Sequence, residues 1–320
     1  IISIKETTET KPTIFFIYIY FLISLIYIMS SVLIQKEISM ILNSNPIDGA
    51  TNLSSDGSYF QVNLEDGGIQ IPKDAINVTV SVESASVWFS TPNILSADSL
   101  DGRLKKNNAL YITSPITGGG SAIFVFQIDQ GLYDLTALNE EIFRKIKTSN
   151  MVYGANSPIV FDSDLATGKI FCIFNEPNVT IDFTPIDTFR DVLGFNTGTI
   201  TSPAGASQTT PKSVDAPNTA RFNSLTAYLI HGDIVQNGIR FNNSYNQTLT
   251  DVVIGDANTF EQINSTPFNP PRVSADELKG IKRNNLAFWI TDQDNNRINM
   301  AGEYWNFRMV IRYNSVLVLT

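Results

Sequence analysis

YWNFRMVIRY, residues 304–313, alternates in side-chain character. Trp305, Phe307, Met309, Ile311 and Tyr313 are large and apolar, whereas Asn306, Arg308 and Arg312 between them are polar. Successive side chains on a β-strand point to opposite faces, so this spacing predicts a strand with one face in a core and the other in water. Working back along the chain, Val78, Val80 and Val82 alternate in the same way. LAFWITD, TLTDVVI, LTAYLIH, SAIFVFQI and ALYIT read as further strands, separated by turns rich in Asn, Gly and Pro. SAIFVFQI is apolar on both faces, the pattern of a central strand. Many short strands with turn signals between them predict a mainly β chain built as a β-sandwich.

One region breaks that pattern. In GLYDLTALNEEIFRKI, from residue 131, Leu135, Leu138, Ile142 and Ile146 are spaced to form one stripe on an α-helix. Glu140 and Glu141 precede Arg144, Lys145 and Lys147, the charge order a helix dipole favours, and Thr136 is the expected cap. PIVFDS, KIFCIFN and VTIDFT then read as strands. TPIDTFRDVLGF reads as a second short helix, with Thr184 as cap, Pro185 in its first turn, Gly194 just past its end and Phe195 folding back on Phe189. Residues 131–195 are thus expected to form a small α+β insertion. Residues 196–222, rich in Gly, Pro, Ser and Thr, are expected to be a flexible loop.

Residues 12–34 carry no charge, a run long enough to cross a bilayer core of ~30 Å. Two readings fit: a membrane anchor, or a translated upstream leader ahead of Met40, where globular character begins. The expected division is a hydrophobic leader over 1–39 and a sandwich domain over 40–320.

The formal net charge is -9, and no cluster of Lys and Arg offers a grip on phosphates, so direct nucleic-acid binding is not expected. Cys172 is the one cysteine and His231 the one histidine, which leaves little for an intrachain disulfide, a Cys/His zinc site or a His-activated nucleophile. Cys172 lies in the apolar run IFCIF and reads as a core residue. His231 lies near Asp233, but no nucleophile elbow accompanies it. DQDNNRINMAGE, residues 292–303, spaces oxygen side chains like a calcium loop, yet Arg297 stands where such a loop needs Gly, and strands flank it. It reads as a hairpin turn. No catalytic, cofactor or metal residues are expected, and the chain reads as a non-enzyme.

Five segments carry a resemblance: GLYDLTALNEEI (131–142), TFRDVLGF (188–195), LTAYLIHGDIVQNGIRFNN (225–243), DELKGIKRNNLAFWITDQ (276–293) and GEYWNFRMVIRY (302–313). Together and in this order they resemble the penton, or minor capsid, proteins of virophages and polinton-like viruses. The hydrophobic leader departs from that pattern. The resemblance implies a single jelly roll with an inserted domain. It further implies a homopentamer at the vertices of an icosahedral virion, beside a double jelly-roll major capsid protein. Candidate subunit contacts are Arg190 and Asp191 on the short helix and Arg308 and Arg312 on the polar face of the last strand. The alternative is a membrane-anchored extracellular binding module, an adhesin or carbohydrate-binding sandwich with glycans on its Asn-x-Ser/Thr sites.

Overall fold

In the computed structural model, the described residues are 31–318, apart from 66, 117, 223, 224, 242 and 243. Eight strands build the main body: β1 (Ser31–Asn43), β2 (Tyr59–Asn63), β3 (Ile76–Trp88), β11 (Ala227–Gly232), β12 (Thr248–Val253), β13 (Gln262–Ser265), β14 (Asn285–Asp292) and β15 (Asn306–Val318). They form two sheets, β1-β15-β3-β13 and β12-β11-β14-β2, the second extended by Ala50–Thr51 beside β2. The pairing rule is simple. The first strand of the eight pairs with the last, the second with the seventh, the third with the sixth and the fourth with the fifth, all antiparallel. A long hairpin rolled on itself gives that order, and the fold is a β-sandwich of the jelly-roll kind.

The alternation read in the sequence turns Phe307, Met309, Ile311 and Tyr313 of β15 inward. On the neighbouring β3, Val78, Val80 and Val82 face inward at even positions and Ala85 and Val87 at odd ones. The change of parity is a bulge: Arg308 pairs with Ser84 but Met309 pairs with Val82, leaving Glu83 unopposed. One extra residue lets the strand keep its apolar face on the core after the slip. The heart of the sandwich is aromatic. Phe60 lies edge-on to Trp305 at 5.0 Å, Phe288 edge-on to Phe307 at 5.1 Å, and Trp305 stacks on Phe307 at 5.7 Å. Such pairs add about 0.5–1.5 kcal/mol each beyond area burial. The Trp305 indole N–H donates to the Gly57 carbonyl at 3.1 Å, so its one polar atom is satisfied.

Between β3 and β11 the chain leaves the sandwich and builds a second core. Its strands are β4 (Ala109–Pro115), β5 (Ser121–Gln127), β6 (Ile159–Asp164), β7 (Lys169–Phe174), β8 (Thr180–Asp182), β9 (Thr199–Thr201) and β10 (Lys212–Thr219), in sheets β9-β8-β4-β5 and β10-β7-β6. Helix α1 (Leu135–Lys147) turns Leu138, Ile142 and Ile146 into this core, as the stripe predicts. Helix α2 (Arg190–Leu193) is a single turn.

The insertion is therefore wider than the expected 131–195. Ile94, Leu110, Ile112 and Phe126 before it, and Ala206 and Ala216 after it, belong to the same core. Side-chain alternation tells which face of a strand is buried but not against which partner. Thus β4, which reads as a sandwich strand, pairs instead with β5 and β8. Nor are residues 196–222 a flexible loop: β9 pairs with β8 and β10 with β7. Both are edge strands, and in β10 only Ala216 is buried, so its composition is that of a loop. The cap of α1 is Asp134, which accepts from the Ala137 amide at 2.7 Å, not Thr136. Thr184 and Pro185 lie ahead of α2 rather than in its first turn. The Gly194 stop is as read: φ is +82°, and a Cβ there would sit 2.4 Å from the Asn218 carbonyl. Phe195 stacks on Phe183 at 5.1 Å.

The boundary read at Met40 also falls inside an element. β1 starts at Ser31, and Met40 pairs with Met309 in mid-strand. Val32, Leu33 and Ile34 do not alternate with polar residues; they lie opposite the part of β15 that has run past β3, and they merge in sequence with the uncharged run before them. Residues 12–30 lie outside the described residues. Among those described, no helix is long and apolar enough to cross a membrane.

Rolling the chain this way gathers the connections at two poles. Residues 44–58, 254–261 and 293–305 lie at one pole with the insertion; the described residues of 64–75, 233–247 and 266–284 lie at the other, with the start of β1 and the end of β15.

Candidate functional site

The outer face of the first sheet is built from the polar alternates of β15 and their neighbours in register. Glu37 opposes Arg312, Ser39 opposes Val310 and Ile41 opposes Arg308. Arg312 is enclosed by partners. Its Nε lies 3.2 Å from Glu37 Oε2, and its Nη1 lies 2.9 Å from Glu83 Oε1 and 2.9 Å from the Ser81 hydroxyl. The side chain is 16% exposed, so these contacts, not solvent, satisfy it. Burial works against the charged form of Glu83, but hydrogen bonds from Arg312 and Ser81 and the charge of Arg312 outweigh it and lower its pKa. Glu83 follows Ser81 on the outward side of β3, two residues along from it, and is the residue left unopposed at the bulge. Arg308, by contrast, is exposed and donates to the Ser39 hydroxyl at 3.0 Å.

Arg190 and Asp191 sit on the inserted unit, apart from that face. Arg190 is turned inward, donating from Nη1 to the Phe183 and Pro185 carbonyls at 2.7 and 2.8 Å, and so holds the turn that precedes α2. Asp191 lies 3.7 Å from the Arg190 Nε, yet its side chain is 83% exposed. The four candidate contact residues therefore divide. Arg190 and Arg312 are engaged within the chain, whereas Asp191 and Arg308 face outward.

The remaining chemistry-bearing groups are quiet. Cys172 is fully buried in β7, and burial raises its thiol pKa well above the ordinary value, away from the reactive thiolate. Asp292, at the start of the 292–303 turn, spends its carboxylate on the Asp294 and Asn296 amides at 2.9 and 2.7 Å and on the Asn296 side chain. It borders a cavity of about 230 Å³ between sandwich and insertion, shared with Phe89, Leu132, Phe222, Leu225 and Ile298. Burial raises the Asp292 pKa against the pull of those hydrogen bonds. Among the described residues no group of three or more His, Cys, Asp and Glu is placed to hold a metal.

His231 is 1% exposed and lies flat on Trp289, rings 5.4 Å apart. Nε2 is 2.8 Å from the Thr291 hydroxyl and Nδ1 is 3.1 Å from the Thr248 hydroxyl. The Thr291 hydroxyl also donates to the Asp292 carbonyl, and the Thr248 hydroxyl to the Asn246 side-chain oxygen. Burial of this neutral ring pushes its pKa from 6.5 down to about 4. In that window the unfolded chain takes up a proton that the folded chain refuses, so stability falls as pH falls from 6.5 towards 4 and is unaffected above it. The loss at the acid end is about 2–3 kcal/mol. Urea midpoints at pH 7.0 and 4.5 are expected to separate more in the parent than in His231→Gln; equal separations would refute this.

Sequence reasoning missed Glu37 and Glu83 as partners of Arg312. The first lay in the supposed leader, and the second lies on a strand whose pairing with β15 leaves no local mark in the sequence.

No family model and no curated protein matches the chain. Among solved structures, the crystal structure of the selenomethionine-labelled mavirus penton protein is similar to it, with 11% identity and a TM-score of 0.40, over 88% of this chain and 99% of that one.

Proposed function

We propose that the chain is a structural capsid protein, a penton or minor capsid component of an icosahedral virion. It assembles as a homopentamer at the vertices beside a double jelly-roll major capsid protein. The observation that supports this best is the rolled eight-strand sandwich carrying a separately cored unit at one pole. Such a body offers two unlike flanks to neighbours and a distinct end to the outside. Copies arranged around a ring make heterologous contacts, each using two different surfaces of the same chain. In this reading the chain performs no chemistry, and its work is contact.

The sequence-derived contact set narrows to the two outward members. Arg308 stands on the flank formed by the first sheet, and Asp191 on the insertion. Native mass measurement of the purified chain is expected to give a five-copy ring. Arg308→Glu and Asp191→Arg should each weaken it about tenfold in dissociation constant, with folding stability within about 0.5 kcal/mol of the parent. Unchanged rings in both variants would remove these residues, and a monomer at every concentration tested would count against the ring itself.

One observation favours the binding-module reading. Tyr59, Trp289 and His231 stand side by side across β2, β14 and β11 on the outer face of the second sheet, with Arg297 5.9 Å from the Tyr59 ring. A monomer whose Trp289 fluorescence responds to a glycan would support that reading over the shell.

A further inference from the structure

We propose that the pole opposite the insertion is a lipid-contacting surface, formed by a two-stranded ribbon that outruns the sandwich. β15 pairs with β3 as far as Asn314, opposite Ile76. Beyond it, residues 315–318 pair only with residues 31–34 of β1. Residues directly opposite share a face, so Val32, Ile34 and Leu317 lie on one side of the ribbon and Leu33 and Val316 on the other. All five are exposed, Leu33 most at 61% and Ile34 and Val316 least at 40%. Ile76 and Ile281 are exposed at the same pole. A cluster of this kind marks a site that is covered in use, and an isolated two-stranded ribbon is marginal in water without cover.

The chemistry favours lipid over protein as that cover. A groove on another protein would shield one face of the ribbon, whereas hydrocarbon surrounds both. The chain leading into β1 has no charged residue from position 12 to position 34. Cationic side chains then appear at the ribbon's root: Lys36 opposite Tyr313, and Lys73 in the segment before β3, both exposed. Apolar side chains with lysines behind them, here Lys36 and Lys73 with Glu37 held by Arg312 and Asp74 beside Lys73, are the layering of a membrane interface, acyl region first and headgroups next. This does not depend on the chain forming a ring. It orients the molecule, with the insertion pointing away from the bilayer.

The test is flotation of the full chain with phosphatidylcholine vesicles, with and without phosphatidylserine. The parent is expected to float with both, more completely with phosphatidylserine. Replacing Val32, Leu33, Val316 and Leu317 together by Thr keeps strand-forming residues at the ribbon and is expected to cut the floated fraction at least tenfold, with unchanged tryptophan fluorescence. Lys36→Glu with Lys73→Glu should remove only the phosphatidylserine preference. A Thr variant that floats like the parent overturns the proposal, because lipid is then held elsewhere. A parent that stays at the bottom overturns it too, and if it also forms oligomers that the Thr variant lacks, the ribbon's partner is a second copy of the chain.

Discussion

Trp305→Ala is expected to unfold the sandwich while leaving the insertion folded. The indole is fully buried between Phe60 and Phe307, and truncation loses its burial, two aromatic contacts and the hydrogen bond to Gly57. Aromatic-to-alanine changes in such cores cost about 3–5 kcal/mol, a large share of the 5–15 kcal/mol that holds a domain together. The insertion has its own core and does not share that loss. The two units can be followed separately in one sample. All three tryptophans, Trp88, Trp289 and Trp305, lie in or beside the sandwich strands, whereas the one long helix among the described residues, α1, lies in the insertion. In the parent, tryptophan fluorescence and helical circular dichroism should therefore report separate urea transitions. In the variant the fluorescence transition should move to much lower urea and the helical one should stay. A single transition moving as one would show that the two cores fold as one unit.

The second large effect is expected at Arg312→Glu. The change puts a third carboxylate beside Glu37 and Glu83 at a position where the arginine side chain is only 16% exposed, although Glu37 is 44% and Glu83 29% exposed. Removing one member of a fully buried pair costs about 3–5 kcal/mol because it strands the other charge, and the partial exposure of both carboxylates here lowers that to about 1–3 kcal/mol. Arg312→Met should cost less, since it leaves Glu83 unpaired without adding repulsion. The pH dependence fixes the cause. The depressed Glu83 pKa means that the pairing contributes fully above the ordinary carboxylate value of 4.5 and is lost as pH falls through the lower folded value. The gap between parent and Arg312→Glu in urea midpoint is thus expected to be wide at pH 7 and to narrow below pH 4.5. A gap that does not change with pH would assign the loss to packing instead.

These two residues also show how far the sequence could be read. Trp305 announces itself, because the strand around it alternates without a break, and the stripe of α1 is equally plain. Arg312 reads as a surface residue for the same reason: alternation assigns it to the outer face, and so it lies. What alternation cannot supply is that Glu37, 275 residues away, and Ser81, 231 residues away, close over it. Strand content was legible wherever one face is buried and the other wet. It failed at β1, apolar on both faces at its free end, and at β9 and β10, edge strands with almost nothing buried. The insertion's extent failed for a related reason, since pairings such as that of β4 with β8 are set by long-range closure and leave no local mark. Of the candidate contact residues, the sequence identified the polar positions but could not tell those committed within the chain, Arg190 and Arg312, from those left outward.

Phe89 and Leu225 border the same cavity, so the chain departs from the roll and rejoins it at nearly one point. A port of that geometry leaves the eight strands able to close whatever is spliced there. Lineages carrying this roll would thus be free to trade one cassette for another, or to drop it, without redesigning the roll's own walls.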